Sequence, residues 1–156
     1  MKTRLNYSQT LPEAIRPINA LNHYSNHCGL EPELLELIKL RASQLNGCAY
    51  CIDMHTKDAR AHGESEQRLY ALPAWRETPF FSARERAALA WTEAVTLVAE
   101  GPIEEEDYED VREQFDERSL ADLTLAIVAI NGWNRLAIAF AAVPGTYQPS
   151  ASNRST

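Results

Sequence analysis

The amino-acid sequence predicts an all-α fold, a single compact helical domain of about seven helices, and three observations carry that prediction. Ala, Leu, Glu and Arg, all strong helix formers, dominate the 156 residues. The period-two alternation of β-branched residues that marks strands is nearly absent. Glycine occurs only six times, and Gly, Pro and Ser fall where helices would start and stop. One domain is expected at this length, since domains run to about 100–200 residues. A chain this long buries roughly two thirds of its unfolded surface and needs neither disulfide nor metal to fold.

The elements follow in order. Residues 12–29 read as a first helix, bent at Pro17 and ending at Gly29. Residues 31–47 place Leu34, Leu35, Ile38 and Ala42 at helical spacing, with Gly47 as the stop. A third helix runs from about Cys48 to His62 and stops at Gly63. Ser65 opens a short helix that ends before Pro73. Ser82, three residues before Glu85, forms a capping-box pattern for a helix over 82–101. Residues 103–115 begin with acidic side chains, which suit a helix N-terminus. The last helix, 119–145, starts at Ser119 and is apolar on nearly every face, the pattern of a central helix or a subunit interface. Gly132 inside it costs about 1 kcal/mol relative to Ala, which close helix packing would compensate. The domain is placed at 1–146, with 147–156 as a flexible tail.

A formal charge of −7 argues against nucleic acid, which requires clustered Lys and Arg. The N-terminus has no apolar run after its early basic residues, so no signal peptide is expected. The longest apolar stretch, 136–143, is far short of the ~20 residues that span a bilayer. An odd number of cysteines, three, without a secretion signal points to a reducing compartment, and the cytoplasm is the expected location.

The stretch "NGCAYCIDMHTKDARAHG" (46–63) carries the chemistry. On a helix at about 100° per residue, Cys48, Cys51 and His55 fall on one face, Cys48 and His55 about 20° apart. Three readings compete. Zinc would need a fourth ligand or a water, and no second Cys pair is present; His27 and Cys28 are poor completions. A purely structural thiol pair is the second. Redox chemistry explains more. Cys48 at a helix start faces unpaired N–H groups and the positive end of the dipole, which would favour its thiolate. His55, one turn below Cys51, can take a proton from that thiol. Cβ atoms three apart on a regular helix are ~5–6 Å apart. A disulfide wants ~3.8 Å, so closing one must tighten the first turn. Glu36 lies on the preceding helix, and a hairpin at Gly47 brings that helix alongside the cysteines.

Glu36, Cys48, Cys51 and His55 at this spacing resemble the alkylhydroperoxidase D-like branch of the carboxymuconolactone decarboxylase family. The likeness extends through "AWRETPFFSARERAALAWTEAV" and "LTLAIVAINGWNRLAIAF". It implies an all-helical subunit, assembly into trimers or hexamers, and a CxxC that reduces hydroperoxides without cofactor or metal. By that resemblance Cys51 is the attacking thiolate, Cys48 resolves it as a Cys48–Cys51 disulfide, and His55 with Glu36 forms the proton relay. The helix dipole instead favours Cys48 as the more acidic thiol. The expected partners are a small organic hydroperoxide and a dithiol reductant, a lipoyl domain or a thioredoxin-like protein, with no nucleic acid and no membrane. Tyr50 stands where the better-studied peroxidases carry a second histidine, which implies a shorter relay and a slower enzyme. Decarboxylase activity is not expected. A thiol–disulfide adaptor or a redox-sensing oligomer is the alternative.

The remaining candidates take plainer readings. Trp91, Trp133 and Phe140 are core or interface side chains, with Trp133 a candidate cavity wall. Cys28 is an unreactive thiol, and His23, His27 and His62 are surface or capping histidines. For Lys39 and Arg41 a solvated helix face is the leading reading, and holding a substrate carboxylate is the alternative.

Overall fold

Proline and glycine divide the chain much as the sequence suggests. The computed structural model describes residues 2–149, and among them are eight α-helices, one 3-10 helix and no strand. They are α1 (Tyr7–Thr10), α2 (Pro12–Ser25), α3 (Pro32–Leu45), α4 (Ala49–Ala61), α5 (Glu66–Ala71), the 3-10 helix Leu72–Glu77, α6 (Ala83–Thr96), α7 (Glu105–Gln114) and α8 (Glu117–Ala139). The all-α fold is as predicted. No helix among the described residues is long and apolar enough to cross a membrane.

Caps account for most of the boundaries. Ser82 and Glu85 form the reciprocal capping box of α6. Ser65 accepts the Arg68 amide at the start of α5. Three starts and ends differ from expectation. Asn6 caps α1, a one-turn helix with no periodicity long enough to read. The last helix begins at Glu117 because Asp116, not Ser119, is its cap; Ser119 donates its amide to Asp116 Oδ1 at 2.7 Å. Helix α2 continues through Pro17 and ends at Ser25, four residues short of Gly29.

Helix α3 is the most enclosed element, and it packs on α4, α6 and α8. One face, Leu34, Leu35 and Ile38, joins Trp91, Phe115, Leu123 and Ile127 in the larger core. Leu37 and Leu40 face a second cluster with Leu69, Leu72, Trp75 and Leu89. The central position expected for the last helix therefore belongs at least as much to α3. Helix α8 keeps Leu125, Val128 and Ile138 on an exposed outer stripe. Gly132 lets α2 come close: a Cβ there would lie 3.0 Å from Ile18 Cδ1, the compensation that its place in a helix requires.

Two helix ends share one device. At the end of α3, Gly47 has φ of +69°, its amide bonds to Gln44 O, and the Cys48 amide bonds back to Ser43 O at 3.0 Å. This Schellman closure reverses the chain into α4. At the end of α8 the same closure places Ala141 at φ +53°, with the Ala142 amide on Ala137 O at 2.9 Å. An L-residue in that region pays a steric penalty that glycine avoids. Ala141→Gly should therefore raise the free energy of unfolding by about 0.5–1 kcal/mol, and Gly47→Ala should lower it by at least as much. Urea titration of the two variants checks both signs.

Candidate active site

Cys48 is not in the first turn of α4; it is the residue that caps it. Its backbone is extended (φ −82°, ψ 91°), and its sulfur accepts the Cys51 amide at 3.3 Å. Stepping off the helix brings the two sulfurs together without tightening the turn, and Cys48 and Cys51 are joined as a disulfide with Cα atoms 5.3 Å apart. Both are sealed from solvent, at 1% and 2% exposure, against Ala137 of α8 and Ala142 beyond it.

The two cysteines differ in outlook. Cys51 lines a cavity of about 350 Å³ together with His55, Glu36 and Lys39, whereas Cys48 lies outside its walls. Tyr7, Tyr50 and Trp133 also line it, so the cavity-wall position suggested for Trp133 holds. Tyr7 stacks between Trp133 and Phe140 at centroid distances of 6.5 and 5.6 Å.

Glu36 reaches the site. Its Oε2 is 2.8 Å from His55 Nδ1, across 19 positions of sequence, and its Oε1 accepts Lys39 Nζ at 2.8 Å. Lys39 also donates to Asn26 Oδ1 at 2.7 Å. The solvated role expected of Lys39 and Arg41 is thus wrong for both. Lys39 is buried in the site, because its ammonium neutralises a buried carboxylate. Arg41 is held at 2.7 Å by Glu93, which also accepts the Trp75 indole. Burial alone would raise the Glu36 carboxyl; the hydrogen bond from His55, with the Lys39 ammonium and its hydrogen bond, outweighs it and holds it at about 2. His55 Nε2 is buried and has no protein partner.

Other polar residues complete the surroundings, and spacing in the sequence had no means of showing them. Asp58, one turn beyond His55, accepts the Tyr147 hydroxyl at 2.7 Å, and Lys57 Nζ donates to Tyr147 O at 3.0 Å. Gly145 N donates to Asp53 Oδ2 at 2.9 Å. Tyr147, assigned to the tail, therefore packs along α4 and lines the cavity; residues 150–156 lie outside the described residues. Burial raises the Asp58 carboxyl against the opposing Tyr147 bond, and the Glu36 charge adds to the rise. Asn134, wholly buried on α8, accepts from Asn46 at 2.9 Å and donates to Ser43 at 3.1 Å, pinning α8 to the α3–α4 junction. Glu36, His55 and Asp58 bring donor atoms within 4.8 Å of one another. That trio is a poor cation site, since both Glu36 oxygens are occupied and one carries an ammonium. His23 and His27 stack on each other at the surface, and His62 caps α4. Cys28 is half-buried with its thiol on Ser25 O.

The helical hairpin with its CxxC pair and buried carboxylate–imidazole contact defines an alkylhydroperoxidase D-like protein. The chain belongs to the carboxymuconolactone decarboxylase family, whose sequence model matches residues 12–94. It is 45% identical over 139 residues to the uncharacterized protein YdfG of Bacillus subtilis, covering 89% of this chain and 95% of that one. A protein of unknown function from Agrobacterium tumefaciens, whose name links it to the antioxidant defence protein AhpD, superposes with a TM-score of 0.90 at 43% identity. That match covers 94% of this chain and all of the other (100%). An uncharacterized peroxidase-related protein from Silicibacter sp. TM1040 has a TM-score of 0.74 at 27% identity, covering 86% and 72% of the two chains.

The depressed Glu36 carboxyl has a consequence for acid stability. A group lowered from 4.5 to about 2 on folding stabilises the native state above pH 4.5, and that contribution is lost as pH falls through 2. Between about pH 5 and pH 2, the wild-type protein should lose more stability than Glu36→Gln. Urea denaturation of both proteins at three pH values measures the difference.

Proposed function

We propose that this protein is a thiol-dependent peroxidase that reduces small organic hydroperoxides, with hydrogen peroxide as a second candidate substrate. The observation that carries the reading is the asymmetry of the pair: Cys51 opens on the cavity that holds His55 and Glu36, and Cys48 stands behind it. In the reduced protein His55 takes the Cys51 proton. The Cys51 thiolate attacks the outer peroxide oxygen, the O–O bond breaks, and the alkoxide leaves with the proton returned by His55. Cys51 is then a sulfenic acid. The Cys48 thiol displaces its hydroxyl as water, forming the disulfide. A dithiol reductant supplies two electrons and two protons to reopen the cycle.

Burial also bears on the partners. With both sulfurs nearly inaccessible, a slender dithiol such as a lipoyl arm reaches them more readily than the face of a thioredoxin-like protein. The same burial weighs against the adaptor reading, which needs protein–protein contact at the sulfur. The exposed apolar stripe on α8, Leu125, Val128 and Ile138, supports assembly into trimers or hexamers. Cytoplasmic location accompanies a thiol cycle that needs a reducing pool.

Mass spectrometry of the reduced protein after one equivalent of cumene hydroperoxide tests the reading. The Cys48–Cys51 disulfide should appear within about seconds, be lost in Cys51→Ser, and form at least about tenfold more slowly in His55→Ala, the usual scale for removing a general base. Free thiols after minutes in the wild-type protein would refute a peroxidase.

A further inference from the structure

Lysine is almost never buried unless it is paired, and Lys39 is only 6% exposed. It stands in a line of contacts, Asn26 to Lys39 to Glu36 to His55, with no step longer than 2.8 Å. Among the described residues that line the cavity it is the one ammonium or guanidinium. We propose that Lys39 is a positioning residue of the thiol site: its charge balances Glu36, which leaves His55 free to accept the Cys51 proton.

A buried carboxylate whose only partner is an imidazole draws one proton onto the pair, because the alternative is an uncompensated charge out of water. A pair that already holds this proton is no base. An ammonium on the second carboxylate oxygen supplies that compensation instead. His27 and His62 share a second pocket with Lys39, Glu36 and Asp58. To the Cys51 cavity, helix α3 contributes Glu36 and Lys39, and α4 contributes Cys51, Tyr50 and Asp58. Tyr7 and Tyr147 face the cavity from the two ends of the chain, and what α2 and α8 present to it is uncharged. The two carboxylates, Glu36 and Asp58, thus have Lys39 as their fixed counter-charge. The proton leaves the Cys51 sulfur for the imidazole, and no electron moves in that step.

The proposal rests on Cys51 as the reacting thiol but not on peroxide, so its test uses neither peroxide nor turnover. Reduced protein is alkylated with iodoacetamide from about pH 5 to pH 10, and the Cys51 peptide is quantified by mass spectrometry. Removing a nearby positive charge should raise the pH midpoint of Cys51 reactivity in Lys39→Met by about one unit, about tenfold in rate at pH 7, with recovery at high pH. Lys39→Arg, which keeps the charge, should return the midpoint close to that of the wild type. Glu36→Gln should move it the opposite way, since Lys39 is then unopposed. A Lys39→Met rate that falls equally at every pH, or an unmoved midpoint, would overturn the proposal. Circular dichroism reports whether Lys39→Met folds. If it does not, the Glu36→Gln midpoint decides: a fall supports the charge balance, and no fall or a rise rejects it. Should cumene hydroperoxide give no disulfide while these midpoints move as stated, the peroxidase reading fails and the role of Lys39 stands.

Discussion

Glu36 sits on the helix most removed from water, and both of its carboxylate oxygens are bonded to side chains that carry or accept charge. An ionised carboxylate in such a place needs this, since an unpaired one would cost several kcal/mol. The requirement shapes α3. Glu36, Lys39 and Ser43 lie at i, i+3 and i+7, a polar stripe along a helix whose other faces are packed with leucine and isoleucine. The stripe continues into neighbouring helices: Lys39 holds Asn26 after α2, Ser43 accepts from Asn134 on α8, and Glu36 fixes His55 on α4. Packing that merely hid apolar surface would leave the rotation of these helices free; the polar stripe sets it.

The disulfide illustrates how a backbone choice makes chemistry feasible. Two thiols at i and i+3 within a regular helix are too far apart to bond, and the chain solves this by ending one helix and starting the next at a single residue. Cys48 closes the Schellman turn of α3 through its amide and caps α4 through its sulfur. Gly47 supplies the left-handed conformation that the junction needs. Cys51, inside the first turn of α4, then faces the cavity, while its partner is held against Ala137 and Ala142.

Much of this was legible in the sequence, for identifiable reasons. Helix existence followed from composition and periodicity, and the caps at Ser65 and Ser82 from local chemistry. Glu36, Cys48, Cys51 and His55 were named together through a family resemblance, and the structure brings them to one place. What escaped was whatever depends on tertiary neighbours. Lys39 reads as a surface residue until α2 and α4 enclose it, and Arg41 until Glu93 meets it. Asn46 and Asn134 are 88 positions apart and share no pattern. Tyr147 follows Pro144 and Gly145, which ordinarily signal a loop, and only its bonds to Lys57 and Asp58 distinguish it from one. Asp116 and Ser119 are both good capping side chains, and which of them caps α8 is not written in local sequence.

Tyr7 and Tyr147 meet the cavity from opposite ends of the chain, and Arg4 N bonds to Phe140 O across nearly its whole length. The four residues of the thiol site, by contrast, fall within one hairpin of two helices. Reactivity here is local and enclosure is global. During synthesis the hairpin is complete long before its walls exist, and the chamber closes only when the last helix and the segment after it dock. A partly unfolded molecule that frays at either end therefore keeps its cysteine pair and loses the walls of the cavity beside Cys51. For this fold, the chamber beside the cysteines is only as intact as the segments around Tyr7 and Tyr147 that wall it.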